Sequence, residues 1–283
     1  MNDTLYIIGN GFDLHHGLRT SYSNFRDDYA KDKPIWNLLC MIYGDQINKQ
    51  EFWWHFEEML SHIDYNCLME PAYEAVLSPS RAKNFLSGQL PPLFGYWILQ
   101  MKRDVRPDLT LDIDKDAMFL TFNYTLTLEN AYHVKDANVW HIHRSIKDKE
   151  PVIIGHDTST TELSKQMFKA FELHPEMRRD IADEIMKQVA NGAKNVNGNI
   201  YRYNLEHKFD QYCEIKHFIA MGFSFNDIDM PYIREIWNVN RHKEETDWTL
   251  YCYSEDEDIK FTKKLVSLGV NEEQINPPIW WNK

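Results

Sequence analysis

Short apolar runs, separated by longer helical patterns, set the expected architecture of this chain. Six segments are enriched in β-branched and aromatic residues over lengths that are typical of strands. We predict strands at Thr4–Ile8, Ala117–Thr121, Val139–Ile142, Val152–Ile154, His217–Met221 and Thr249–Tyr253. Strands that alternate with helices are typical of a mainly parallel sheet. The pattern therefore predicts an α/β fold with a Rossmann-like, mainly parallel sheet.

Two long stretches between the strands have helical periodicity. Apolar residues recur at helical spacing in Glu51–Ile63 and in Pro92–Val105. A second helical block runs from about 161 to 190 and ends at Asn191-Gly192, a typical helix stop. The polar segment Asn195–Asn199 contains a glycine and predicts a loop.

These helical stretches are longer than simple crossovers between parallel strands. We predict one α/β domain over residues 1–283, with helical insertions at about 24–110 and 160–212. The insertions are expected to form a cap over the carboxyl ends of the strands. The acidic run Glu255–Asp258 predicts the solvated start of a further helix.

Composition narrows the classes of partner and the cellular compartment. The formal net charge of -12 argues against non-specific binding to nucleic-acid phosphates. The four cysteines form no Cys-x-x-Cys pair, which argues against a zinc ribbon and fits reduced thiols. No basic signal-peptide region precedes the first apolar run, and no run approaches the ~20 residues that cross a membrane. We therefore predict a cytoplasmic protein without a membrane partner.

Polar residues come directly after four of the predicted strands. Carboxyl ends of parallel strands face the same edge of a sheet, so these residues are expected to line one ligand pocket. The residues are Gly9-Asn10-Gly11-Phe12-Asp13, Asn123, His141 with His143, and Gly222-Phe223-Ser224 with Asp227.

Each of these segments also has a structural interpretation. Gly9-Asn10-Gly11 fits an ordinary glycine turn, and Asn123 fits the cap of a helix that begins at Thr125. His141 and His143 alternate to one face of a strand, where they fit either a metal site or a packed core. Ser224 fits a helix cap after a strand-to-helix turn.

Six motifs occur in a characteristic order: Gly9–Asp13, His16-Gly17-Leu18, Thr20-Ser21-Tyr22, Phe122–Thr125, His141-Ile142-His143 and Gly222-x-Ser224. Together they resemble the AbiH family of bacterial phage abortive-infection proteins, and the match runs from about residue 4 to residue 236. More remotely, the order is similar to sirtuin-like domains, which have a Gly-x-Gly phosphate turn, an Asn and a His after strands, and then Gly-x-Ser.

The resemblance implies roles for individual residues. His143 would be the catalytic base, and Asn123 would bind the ribose side of NAD and place the nucleophile. The chemistry of NAD cleavage, apart from the resemblance, adds Asp13, which would supply negative charge to an oxocarbenium-like sugar. Gly9 and Gly11 would lie beside the pyrophosphate, and Gly222 and Ser224 beside the adenosine ribose. The complete set expected to bind the nucleotide is Gly9, Asn10, Gly11, Phe12, Gly222, Ser224 and Asp227.

Several positions depart from the sirtuin-like pattern. Arg144 stands where a glycine usually follows the histidine, Asp13 replaces a small hydroxyl residue, and Thr125 replaces an acidic residue. The zinc-binding cysteines of true sirtuins are missing. These departures argue against protein deacylation and leave nucleotide binding or NAD cleavage.

Three functions remain open at this point. The first is a phage-defence hydrolase that cleaves NAD, its substrate, to nicotinamide and ADP-ribose and holds no tightly bound cofactor. The second is a non-catalytic sensor of NAD or ADP-ribose, which Arg144 favours. The third is a metal-dependent nuclease that uses Asp13, Asp227 and Asp229. Each of these functions is compatible with a homo-oligomer or with binding to a partner protein of a defence system.

Overall fold

A single six-stranded sheet organises the computed structural model, which describes residues 3–66, 85–101 and 105–281. The strand order is β3-β2-β1-β4-β5-β6, and every neighbouring pair is parallel. The strands are β1 (Thr4–Ile8), β2 (Met118–Thr121), β3 (Val139–His141), β4 (His217–Met221), β5 (Asp247–Cys252) and β6 (Ile279–Trp280). The Rossmann-like α/β prediction is therefore confirmed.

One predicted strand is wrong and one strand was missed. Val152–Ile154 belongs to no strand of the sheet. A short β-branched run does not by itself distinguish a strand from a buried extended segment, and Val152 and Ile154 are buried. The strand β6 has only two residues, which is too short for any periodicity to mark it.

Twelve α-helices occur within the described residues, and most of the longer ones are amphipathic. They are α1 (Asn10–His15), α2 (Tyr22–Asp28), α3 (Pro34–Tyr43), α4 (Gln50–Trp54), α5 (Phe56–Met59), α6 (Leu90–Gln100), α7 (Thr127–Tyr132), α8 (Thr160–Leu173), α9 (Arg179–Asn191), α10 (Val196–Leu205), α11 (Met230–Val239) and α12 (Glu255–Leu268). None of these helices is long and apolar enough to cross a membrane.

The helix boundaries correct several predictions. The expected helix over Glu51–Ile63 is divided into α4 and α5 at His55, whose φ of -115° is not helical. The block expected over 161–190 is two helices, α8 and α9, and Pro175 lies in the connection, where it cannot continue a helix. The helix predicted over Pro92–Val105 is α6, and residues 102–104 of that prediction lie outside the described residues.

The predicted loop over Asn195–Asn199 is mostly the first turn of α10. Val196 is fully buried and Tyr203 nearly so, and both belong to a core cluster that lies against the sheet. Tertiary packing of these side chains outweighs the weak helix propensity of Asn and Gly. Two other boundaries are confirmed: α9 ends at Asn191, and the acidic run begins α12 with Ser254 as its cap.

The strand β1 contributes alternately to two hydrophobic clusters. Leu5 and Ile7 belong to one cluster, and Tyr6 and Ile8 belong to the other. Because successive side chains of a strand point to opposite faces, both faces of the sheet are covered. A strand that is buried on both faces reads as a continuous apolar run, which is why β1 was visible in the sequence.

The chain divides into two compact units. The first comprises Met1–Thr20, Met101–Lys147 and Val196–Lys283 and contains the whole sheet. The second comprises Ser21–Gln100 and Asp148–Asn195, and its described residues are mostly helical. Whether these units form one domain, and whether the helical insertions cover the strand ends, remain predictions.

Candidate functional site

The strand order creates a switch point between β1 and β4. From β1 the strand order runs through β2 to β3 in one direction, and from β4 it runs through β5 to β6 in the opposite direction. Ligands of open α/β sheets bind outside the carboxyl ends of the strands at such a point. The last residues of β3, β2, β1 and β4 lie in one row across the sheet, formed by His141, Thr121, Ile8 and Met221, and the row continues to Tyr251, one residue before the end of β5.

Gly9 and the first turn of α1, which follow β1, contact the end of β4 and the loop after it through their backbones. The Gly9 amide donates to the carbonyl of Met221 at 3.1 Å, and the Gly11 amide donates to the carbonyl of Gly222 at 3.0 Å. Gly222 has a φ of +63°, and a Cβ on it would lie 2.1 Å from the backbone nitrogen of Phe12. A Cβ on Gly9 or Gly11 would likewise lie 2.5 or 2.7 Å from the Gly222 backbone, so the close approach of these two segments requires glycine, independently of any ligand.

Two residues expected to bind the nucleotide differ sharply in exposure. Asn10 is exposed, whereas Phe12 is fully buried in the cluster that contains Tyr6 and Ile8. The Phe12 ring packs against His16 and Tyr132, with ring centroids 4.4 and 5.7 Å away. Any ligand contact from Phe12 would therefore have to come from its backbone.

Asp13 is a buried carboxylate whose two oxygens both accept hydroxyl protons. Thr125 donates to Oδ2 at 2.6 Å, and Thr127 donates to Oδ1 at 2.7 Å. Burial raises the pKa of Asp13 to about 6, although the bonds from the two threonines and the positive field of His141 act in the opposite direction. The Asp13 carboxyl group therefore holds its proton to a higher pH than an exposed aspartate does.

Asn123 connects the end of β2 to the loop after β1. Its Nδ2 donates to the carbonyl of Gly9 at 3.1 Å, and its backbone amide donates to the hydroxyl of Thr121. The helix α7 begins only at Thr127, and its cap position is Leu126, so the helix-cap interpretation of Asn123 is wrong. The side chain of Asn123 instead fixes one strand-end loop to the other.

His141 bridges two hydrogen-bond acceptors. Its Nδ1 lies 2.9 Å from the carbonyl oxygen of Asn123, and its Nε2 lies 2.9 Å from Oε1 of Glu129. A carbonyl and an ionised carboxylate only accept, so the doubly protonated ring satisfies both contacts. Burial acts to raise the pKa of Glu129, but the bond and charge of His141, with Lys147, outweigh burial and lower the pKa.

His143 forms a separate pair with Asp229, the residue that precedes α11. Its Nε2 lies 2.9 Å from Oδ1 of Asp229, and only 2% of the histidine side chain is exposed. The ring packs edge-on against Phe122 and Tyr232. The strand β3 ends at His141, so the expected alternation does not extend to His143, and the two histidines bond to different partners. The two residues therefore do not form a paired-histidine face.

Two non-glycine residues near this edge have left-handed backbone conformations. Arg144, directly after His143, has a φ of 65°, and Phe225 has a φ of 51°. A left-handed conformation is strained for residues other than glycine, and Arg144 stands where the resemblance expects glycine. The structure thus supplies the physical reason for that expectation, and this chain accommodates arginine in the same conformation.

The remaining predicted residues lie on the surface of the loop after β4. Ser224 is exposed and does not cap α11, whose cap position is Asp229, so the helix-cap interpretation of Ser224 is wrong. Asp227 is exposed and forms an ion pair with Lys264 of α12. Within residues 3–66, 85–101 and 105–281, no group of three His, Cys, Asp or Glu side chains is arranged to hold a metal ion.

Two aromatic residues at the same edge were not predicted from the sequence. Tyr253 follows β5, and its hydroxyl donates to the carbonyl of Gly11 at 3.3 Å. Its ring stacks on Trp281, which follows β6, with centroids 5.6 Å apart. Extending the strand-end rule to the fifth strand of the sheet would have found Tyr253, but no signal marked Trp281.

The fold and the strand-end site define a Rossmann-like α/β protein with polar and titratable groups at the topological switch point. A family model described as bacteriophage abortive infection AbiH matches residues 5–252. The chain belongs to this family, and its role lies in phage abortive infection. No curated protein matches the chain, and no solved structure matches it.

Proposed function

We propose that this protein binds a nucleotide of the NAD class at the carboxyl edge of the sheet and cleaves it to nicotinamide and ADP-ribose. The observation that supports this most directly is the pair formed by His143 and Asp229. A histidine that is held by a carboxylate after a strand end is the usual arrangement of an oriented general base.

The hydrogen bond to Asp229 determines which nitrogen of His143 would accept a proton. Since the carboxylate only accepts, Nε2 carries the hydrogen, and the lone pair of the neutral ring lies on Nδ1. A water molecule would attack C1′ of the ribose while its proton passes to Nδ1. The electron pair of the C1′–N bond would go to the pyridinium nitrogen, so nicotinamide leaves as a neutral molecule. Asp229 would stabilise the imidazolium that forms.

Asp13, in α1, and Asn123, in the loop after β2, would assist His143. With a pKa of about 6, Asp13 is mostly ionised at neutral pH and would provide a fixed negative charge for the oxocarbenium-like sugar. Both of its oxygens are held by Thr125 and Thr127, so the position of this charge is fixed. Asn123 would hold the β1 loop in register through its bond to Gly9.

Burial favours a second candidate function, a sensor that binds the nucleotide without cleaving it. His143 is 2% exposed and Asp13 is 1% exposed. Cleavage requires the His143 ring to become accessible to water and ribose when the ligand binds, whereas a sensor does not require this. The nuclease hypothesis gains no such support, because Asp13, Asp227 and Asp229 each bond to a different partner.

The test is nicotinamide release from NAD by wild type and His143→Ala. A positioned acid–base group contributes about 10²–10⁴-fold, so turnover is expected to fall by that factor. His217→Ala is a matched control, since His217 forms an exposed pair with Asp247 and lies outside the proposed site. Equal turnover in wild type and His143→Ala would reject His143 as the base.

Thermal-shift titrations with NAD and ADP-ribose separate the two candidates. Ligand stabilisation together with nicotinamide release supports the hydrolase. Stabilisation without release selects the sensor. The absence of both would refute nucleotide binding at this edge.

A further inference from the structure

The proposed chemistry occupies one side of the switch point. His143, Asn123 and Asp13 would surround the reacting ribose carbon, and they follow β3, β2 and β1 in the chain. Since β3 is the edge strand of the sheet, the row of strand ends continues only in the other direction, from β1 to β4 and β5. The second nucleoside of a dinucleotide would therefore lie at the carboxyl ends of β4 and β5.

Tyr253, directly after β5, is exposed at this end of the sheet, with 41% of its surface accessible. The other described Phe, Tyr and Trp residues within four positions of a strand's carboxyl end are all buried: Phe12, Phe122, Tyr124, Phe223, Phe225 and Trp281. A buried ring cannot stack on a ligand. Within the described residues, Tyr253 is therefore the aromatic side chain at this edge that is available to a nucleotide base.

The Tyr253 ring is held in place from several directions. Its hydroxyl donates to the carbonyl of Gly11 at 3.3 Å, so the side chain reaches from the end of β5 back to the start of α1. One face of the ring stacks on Trp281, with centroids 5.6 Å apart and an interplanar angle of 18°. The Tyr253 backbone amide donates to Glu257 at 2.8 Å. A ring that is already ordered loses little conformational entropy when a planar base stacks on its open face.

The charge beside Tyr253 determines which part of a dinucleotide fits there. The first turn of α12 carries Glu255, Asp256, Glu257 and Asp258, and it begins two residues after Tyr253. Like charges repel, so these carboxylates disfavour the anionic pyrophosphate at this position. Adenine is uncharged at neutral pH and has a π-face on which aromatic side chains stack. The surroundings of Tyr253 therefore suit the base rather than the phosphates.

We propose that Tyr253 stacks on the adenine base of NAD, and that this contact makes the protein select a dinucleotide over a mononucleotide. The inference rests on the proposed nucleotide-binding function and leaves the reacting ribose beside His143. Trp281, which is buried, supports the covered face of the tyrosine ring and does not contact the ligand. The ligand would thus span the switch point, with its reacting end on the side of β2 and β3 and its adenine at the end of β5.

The experiment compares a ligand that contains adenine with a substrate that lacks it. Binding of ADP-ribose, which contains adenine and cannot release nicotinamide, is measured by calorimetric titration. Nicotinamide release is measured from NAD and from nicotinamide mononucleotide, which has the same scissile bond but no adenosine. The variants are Tyr253→Ala, Tyr253→Leu and Tyr253→Phe. Tyr201→Ala is the matched control, because Tyr201 is 68% exposed on α10, whose Tyr203 packs against Trp140 of the edge strand β3.

Tyr253→Ala is expected to weaken ADP-ribose binding by about 5- to 150-fold, the range that corresponds to the loss of one base–aromatic stack. The kcat/KM for NAD should fall by a similar factor, whereas the kcat/KM for nicotinamide mononucleotide should stay unchanged. Tyr253→Leu keeps an apolar contact with Trp281, so a loss that both variants share is due to stacking rather than to packing. Tyr253→Phe keeps the ring without the bond to Gly11 and should bind nearly as wild type does. Tyr201→Ala should match wild type in every measurement.

The ADP-ribose titration decides the inference even if no ligand is cleaved. Equal ADP-ribose affinities of wild type, Tyr253→Ala and Tyr253→Leu would overturn it and leave the proposed function intact. A loss of turnover that is equal for NAD and nicotinamide mononucleotide would also overturn it, because Tyr253 would then act on the half that the two substrates share. Failure of wild type to bind ADP-ribose and to cleave NAD would refute the proposed function, and the inference with it.

Discussion

Thr127 donates its hydroxyl to Oδ1 of Asp13 at 2.7 Å, in a site where only 1% of the aspartate is exposed. Burial is the main reason that the pKa of Asp13 is raised from its ordinary value of 3.8 to about 6. Between these values the folded protein binds a proton that the unfolded chain has lost. The contribution of Asp13 to the free energy of unfolding therefore falls as pH rises from about 4 to 6 and is constant above.

Asp13→Asn is expected to remove this pH dependence. Two pKa units correspond to about 3 kcal/mol, so the difference in unfolding free energy between wild type and variant should change by about that amount between pH 4 and pH 7. The measurement is chemical denaturation of both proteins across this range. A difference that is independent of pH would show that Asp13 titrates normally.

Asp229→Asn tests the orientation of His143. The amide is similar in size to the carboxylate but provides no charge to stabilise an imidazolium, and it changes the preferred tautomer of the ring. Nicotinamide release should fall by about 10²–10⁴-fold, with little change in ADP-ribose binding. Asp247→Asn, in the exposed pair with His217, provides the comparison. Retained turnover in Asp229→Asn would remove Asp229 from the mechanism.

Gly222→Ala is expected to destabilise the sheet edge. A left-handed conformation costs a non-glycine residue about 1–2 kcal/mol, and the new Cβ would also lie 2.1 Å from the Phe12 nitrogen. The melting temperature and soluble yield should both fall. Gly95→Ala in α6 is the control, because its nearest neighbours are side-chain atoms at 3.9–4.0 Å and alanine favours helices by about 0.5–1 kcal/mol. Equal melting temperatures would contradict the described loop contact.

Glu129→Gln is expected to destabilise the protein more than Lys147→Met. Glu129 and His141 are mostly buried and bonded at 2.9 Å, so removing one charge leaves the other buried without its partner, at a cost of about 3–5 kcal/mol. Lys147 is more exposed, and removing it should cost about 0–1 kcal/mol. Urea denaturation measures both. Equal effects would show that the buried bond between Glu129 and His141 contributes no more than the exposed contact of Lys147.

The pair of Glu129 and His141 predicts that the free energy of unfolding depends on pH with the opposite sign to the contribution of Asp13. The pKa of Glu129 lies below its ordinary value of 4.5 in the folded protein. Its stabilisation is therefore present above about pH 4.5 and is lost as pH falls through the lowered pKa. Glu129→Gln should be less sensitive to acid than wild type in a melting series from pH 6 to pH 3.

The positions of the strands show which elements the local sequence pattern predicts correctly. The strands β1, β2, β4 and β5 were predicted within two residues at each end, because each lies in a short run that is enriched in apolar, β-branched or aromatic residues. Val152–Ile154 has the same local pattern but belongs to no strand. Nothing local distinguishes an extended segment that pairs from one that does not, since pairing depends on a distant partner.

The sequence by itself determined the fold class and the edge of the sheet that carries polar groups, because both follow from residue order and hydrophobic periodicity. Only the tertiary structure decided which groups meet. His143 bonds to Asp229, 86 positions away, and Asp13 bonds to Thr125 and Thr127 rather than facing solvent. Tyr253 reaches Gly11 across 242 positions. Hydrogen bonds depend on separations of about 3 Å, and no periodicity along a chain encodes distances between segments that the fold brings together.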